Sequence, residues 1–178
     1  MKAQLGVEVD WHIFGTGPEM VAAFKNNELE GGVGTPCLSV FAATLLESRL
    51  IIRAENLWDN NPSYGIFFYE DLIENNPDFV LEFLALHKKS ATLLRNSPDM
   101  AAKLIADTIE MTTEEYVKEV LKISPKYCIA LSEGYVQSTM EFVGALHRLG
   151  YIKRTLRVDE IFEFRFVEKV HPEHHHYV

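Results

Sequence analysis

GTGPEMVAAFKNNELEGGVGTPCLSVF, residues 15–41, sets the reading of this chain. It follows the extended segment VEVDWHIF (residues 7–14), where Val7, Val9, Trp11 and Ile13 alternate on one side with the period of a strand. Gly15, Thr16 and Gly17 turn the chain. Pro18 then stands where a helix can begin without the backbone N–H that proline lacks. The spacing predicts a helix from Pro18 to about Asn27, with Met20, Val21 and Phe24 on its buried stripe. Gly31-Gly32-Val33-Gly34 is short and bare of side chains, which suits the end of a central strand where backbone or ligand comes close. Thr35-Pro36 opens a second helix through about Glu47, and Arg49 to Ala54 reads as another strand. Strand and helix twice over predict an α/β fold with a mainly parallel sheet.

Beyond Asn60-Asn61-Pro62, a turn, Tyr64 to Tyr69 reads as an apolar, aromatic strand. The character then becomes helical. Asn76-Pro77, Ser97-Pro98 and Thr112 with Glu115 each mark a helix start, the last as a capping box. They predict helices over Pro77 to Arg95, Pro98 to Ile109 and Thr113 to Ile123. A further helix begins after Ser132 and ends at Gly150, a residue suited to the left-handed position past a helix. Asp159 to Phe162 suits a short helix, and EFRFVEKV (residues 163–170) fits either helix or strand. The expected division is an α/β sheet portion over 1–70, a helical layer over 71–165 and a histidine-containing tail over 166–178.

With 178 residues, 47% of them hydrophobic, the chain suits one domain with an ample core. Its formal net charge of -9 speaks against a general nucleic-acid binder, whose affinity comes from Lys and Arg on phosphates. No apolar run approaches the roughly 20 residues of a membrane span. MKAQLGVEVDWHIF lacks the apolar core and cleavage site of a signal peptide, so the chain as written is expected to stay in the cytoplasm. Cys37 and Cys128 lack CxxC spacing and read as small buried hydrophobes.

A strand turning straight into a helix start presents free amides, and such N-termini favour anions or polar ligand groups. The plainer reading is a turn that caps its own helix. GTGP is not the GxGxxG dinucleotide fingerprint, and there is no Walker sequence. Ser39 has no GxSxG around it and Cys37 no histidine partner in sequence, so nucleophilic catalysis has no support. His171, His174, His175 and His176 in HPEHHHYV (residues 171–178) form a set that binds divalent metals readily, with Glu173 able to join. The plainer reading there, a terminal tail without metal, is the one expected.

Three segments look familiar as a set: PEMVAAFKNNELEGGVGTPCLSVFA (18–42), NLWDNNPSYGIFFYEDLIENNPDFVLEFLALHKKSATLLRNSPDMAAKLIAD (56–107) and LHRLGYIKRTLRVDEIF (146–162). In order and spacing they resemble the solute-binding proteins of nitrate, sulfonate and taurine transporters, a family that includes thiamine-pyrimidine precursor binders. The resemblance implies a type II periplasmic-binding-protein-like α/β lobe with a helical C-terminal half. It implies the solute-binding component of an ABC importer for a small anionic or heteroaromatic solute, with a permease as partner and no cofactor. Residue by residue, it places Thr16 and Gly17, then Gly34, Thr35, Pro36 and Ser39, at cleft-facing helix starts that donate hydrogen bonds to the solute. Trp58 and Tyr64 would supply apolar walls. An N-terminal lobe, roughly a hundred residues as is typical of a small domain, has no counterpart here. That leaves two readings: a piece of an extracytoplasmic, membrane-associated receptor, or a half receptor covered by a second copy. The alternative is a non-transport enzyme of thiamine-pyrimidine synthesis type, or a regulatory interaction module.

Overall fold

The computed structural model describes residue 6 and residues 8–52, 64–109, 112–124 and 127–176. These fall into two compact units, Met1–Leu50 and Ile51–Val178. The α/β expectation is overturned: the described residues are helical, with no strand and no sheet. The segments expected as strands are irregular over 8–14, 31–34, 49–52 and 64–69. An extended segment becomes a strand only by exchanging backbone hydrogen bonds with a neighbour, and none of the four finds one among the described residues. Alternation in VEVDWHIF marks a face without supplying a partner for it, so Ile13 is 96% and Trp11 63% exposed.

In the first unit, α1 (Gly17–Lys25) packs on α2 (Pro36–Leu45). α2 begins at Pro36, as the spacing predicts, whereas α1 begins at Gly17, one residue before the expected Pro18. Ala23 is the buried residue of α1, with Met20, Val21 and Phe24 half-buried beside it. The glycines here make room for apolar side chains. A Cβ on Gly17 would stand 2.9 Å from Leu38, one on Gly34 3.0 Å from Leu38, and one on Gly32 2.8 Å from Phe24.

The second unit opens with α3 (Glu70–Asn75), α4 (Pro77–Asn96) and α5 (Pro98–Thr108), three helices broken only at Asn76-Pro77 and Ser97-Pro98. A residue before proline is driven out of the α region. Asn76 (φ -137°, ψ 55°) and Ser97 (φ -144°, ψ 60°) show the result, each ending one helix and starting the next. After Thr113, α6 (Glu114–Ile123) packs against α5. Its cap is Thr113 rather than Thr112: the Thr113 hydroxyl accepts from Tyr116 N at 3.2 Å, while Thr112 Oγ1 donates to Ile109 O at 3.0 Å.

Ser132 caps α7 (Glu133–Arg148), accepting from Tyr135 N at 3.2 Å. At its far end Gly150 (φ 80°) closes the helix: Gly150 N donates to His147 O and Tyr151 N to Leu146 O, the paired bonds of a left-handed stop. A 3-10 turn over Val158–Glu160 precedes α8 (Phe164–Val170), so EFRFVEKV resolves as helix. Phe166 of α8 meets Val80 and Leu84 of α4 in a buried cluster that Phe68, Ile73 and Val167 extend.

Candidate functional site

The stripe that buries α4 also builds a cavity. Val80, Leu84 and Ala91 are buried at helical spacing, and His87 falls on the same face between them. Opposite stand the 64–68 segment, the Cys128–Leu131 loop, Tyr135 and Thr139 of α7, and the approach to α8. Together they enclose about 420 Å³, within the size range of small-molecule sites. Its floor is the Val80–Leu84–Phe166 cluster.

Polar groups converge on one side of this apolar chamber. Tyr135 Oη donates to Tyr64 O at 2.8 Å, fixing the 64–68 segment to α7. The Tyr64 ring stands 5.5 Å from that of Tyr127 and 6.4 Å, edge-on, from that of His87. Arg95 Nη1 donates to Tyr127 O at 2.7 Å, anchoring the loop to the end of α4. His87 Nε2 is buried and has no hydrogen-bond partner among the described residues. Burial holds the His87 imidazole below its ordinary pKa, so the ring is neutral at pH 7.

Tyr64 is pushed up to about 12, chiefly by burial and then by the neighbouring Tyr127. Its phenol loses a proton at about 10 in the unfolded chain, so stability falls as pH rises from about 10 through about 12. In an alkaline absorbance titration, the last tyrosinate step of the folded chain is expected near that value and absent from Tyr64→Phe. Loss of no step near that value in Tyr64→Phe would mean that the Tyr64 phenol, part of a residue 36% exposed, is not held above its ordinary pKa.

At the back of the loop, Cys128 turns from the cavity wall to the C-terminal segment. His171, the residue that ends α8, is held where His171 N donates to Val167 O at 2.7 Å. Lys88 Nζ donates to Val170 O at 2.9 Å and also pairs with Glu173, so α4 grips the segment after α8. The Cys128 Sγ lies 3.2 Å from His171 Nε2 and 3.4 Å from His176 Nδ1. Cys128 and His171 are buried and His176 half-buried. Glu173 Oε2 is 3.4 Å from His171 Nδ1, close enough for charge attraction though not aligned as a hydrogen bond. Burial lowers the His171 pKa more than Glu173 raises it, leaving a neutral imidazole.

The residues singled out from sequence are dispersed. Thr16, Gly17, Gly34, Thr35, Pro36 and Ser39 lie in the first unit, Tyr64 in the second, and Trp58 outside the described residues. At the first helix start, the amides expected to meet a solute are taken locally: Glu19 Oε2 accepts from Gly15 N and Thr16 N, both at 3.1 Å. At the second, Ser39 Oγ donates to Thr35 O at 3.2 Å. Tyr64 lines the cavity beside α4. Of the four histidines, His171 and His176 meet at Cys128, whereas His174 and His175 are exposed.

Sequence reasoning gave no functional role to His87 or Cys128; it read Cys37 and Cys128 as small buried hydrophobes, and Cys128 is buried whereas Cys37 is exposed. His87 carried a signal, a polar residue on the buried stripe of α4. Cys128 carried none, because its partner is 43 residues away. No described helix is long and apolar enough to cross a membrane. Comparisons with protein-family models, with curated proteins and with solved structures find no match to this chain.

Proposed function

We propose that the chain binds a small heteroaromatic solute in the cavity between α4, α7 and the 64–68 segment, as the solute-binding component of an importer. The observation that carries this reading is His87 Nε2, a buried polar atom unpaired among the described residues and set in an aromatic-walled chamber. Buried polar atoms are nearly always paired, and one left open in a cavity wall marks where a ligand's hydrogen bond belongs. Tyr64, Phe68, Tyr135 and Phe162 offer ring faces and edges, which suit a flat heterocycle such as a pyrimidine. A neutral His87, Glu163 in the wall and a net charge of -9 favour that class over nitrate or a sulfonate.

The transport setting rests on the three resembling segments, and the cavity supports solute binding without an α/β lobe. A permease and a second copy of the chain are the partners this role brings. Exposed Phe67 and Tyr69, 93% and 88% accessible, are the apolar surface a second copy would cover.

The test is a thermal-shift and calorimetric series with aminopyrimidines, nitrate and taurine. A cavity ligand at a hundred times its Kd stabilises the fold by about 2.7 kcal/mol. An aminopyrimidine is expected to raise the melting temperature, and His87→Leu to weaken it at least tenfold while the apo protein stays folded. Binding of nitrate or taurine alone, or aminopyrimidine binding indifferent to His87→Leu, would remove this reading.

A further inference from the structure

We propose that Cys128 Sγ, His171 Nε2 and His176 Nδ1 form a binding site for one zinc-class divalent cation. This goes beyond the solute-binding reading and uses a different set of atoms, with Cys128 alone shared between cluster and cavity wall.

The three donor atoms lie within 4.8 Å of one another. Around tetrahedral zinc, with Zn–S of about 2.3 Å and Zn–N of about 2.05 Å, neighbouring sulfur and nitrogen donors stand about 3.5 Å apart. The observed sulfur-to-nitrogen separations, 3.2 and 3.4 Å, need only a few tenths of an ångström of adjustment. One thiolate with two imidazoles is a soft-to-borderline donor set, which selects zinc over magnesium or calcium. Three protein ligands leave the fourth tetrahedral position to water.

The surroundings match what such ligands need. A metal-bound histidine normally has its other ring nitrogen facing a carboxylate that fixes its orientation. Glu173 stands 3.4 Å from His171 Nδ1, near enough to take that hydrogen bond though not aligned for it here, on the far side of the ring from Cys128, and is itself held by Lys88. Lys88 also donates to Val170 O, so the segment carrying two of the three ligands is tied to α4. Because one ligand comes from the loop after α6 and two from beyond α8, the cation would clasp the C-terminal segment to the body of the unit.

The experiment titrates the chelator-treated, tag-free chain with Zn²⁺ by calorimetry and with Co²⁺ by absorption. Expected are one cation per chain and a near-ultraviolet thiolate-to-cobalt charge-transfer band. His176→Gln should weaken zinc at least tenfold, the His174→Gln/His175→Gln pair should leave it within twofold, and Cys128→Ser should abolish the band. If Cys128→Ser does not fold, the band in the unaltered chain and the effect of half-buried His176→Gln still decide. Absence of binding, binding without the thiolate band, or an equal loss on changing His174 and His175 would overturn the site. Repeating the solute titrations in chelator separates its failure from that of the solute-binding reading.

Discussion

Phe166→Ala is expected to lower the unfolding free energy of the Ile51–Val178 unit by about 3–5 kcal/mol, the range for emptying a buried aromatic position. Phe166 is 4% exposed and lies in the cluster with Val80 (2%) and Leu84 (7%), so its ring joins α8 to α4. The loss has a second consequence, because the same ring is part of the cavity floor. Removing it enlarges an apolar chamber that neighbours fill only in part. The measurement is urea unfolding followed by circular dichroism, with Phe166→Leu as the milder comparison. A cost within about 0.5 kcal/mol, the scale of surface substitutions, would mean that α8 does not pack on α4.

Ala102→Leu tests the packing of α5. Ala102 is fully buried (0% exposed) and Ala101 nearly so, on α5, the helix that packs on both α4 and α6. Small residues there let the helices approach, and added methylenes must displace close-packed neighbours. Overpacking of this kind costs about 1–3 kcal/mol. Met100, two residues earlier on the opposite side of α5 and 58% exposed, supplies the control: Met100→Ala should stay within about 0.5 kcal/mol. Equal effects at both positions would refute close packing of α5 on its neighbours. The comparison is read from the same unfolding curves.

Local signals carried most of the helical framework. Pro77 and Pro98 fix the breaks between α3, α4 and α5, and Pro36 starts α2, because a proline ring restricts its own φ and its predecessor's conformation wherever it stands. Ser132 and Gly150 bracket α7 for equally local reasons: a hydroxyl that accepts an orphan amide, and a backbone free to turn left-handed. The misplacement of one cap, Thr112 for Thr113, shows the limit of such signals, since adjacent threonines offer the same hydroxyl.

The sheet was not legible, because alternation in VEVDWHIF and the aromatic run at 64–69 describe half of an interaction. Whether an extended segment pairs depends on another segment arriving beside it. In this structure the 64–68 segment lies instead against α4 and α7 through Phe68 and the Tyr135–Tyr64 bond. The candidate sites divide in the same way. His171 and His176 belong to a run visible in sequence, but only the fold selects them over His174 and His175 and brings Cys128 to them. Sequence alone determined the proline breaks and the Ser132 and Gly150 ends of α7, since those are settled within a few residues of chain. Tertiary structure decided the cavity, the thiol–imidazole cluster and the absence of strand among the described residues, since each depends on groups distant in sequence and on which surfaces meet.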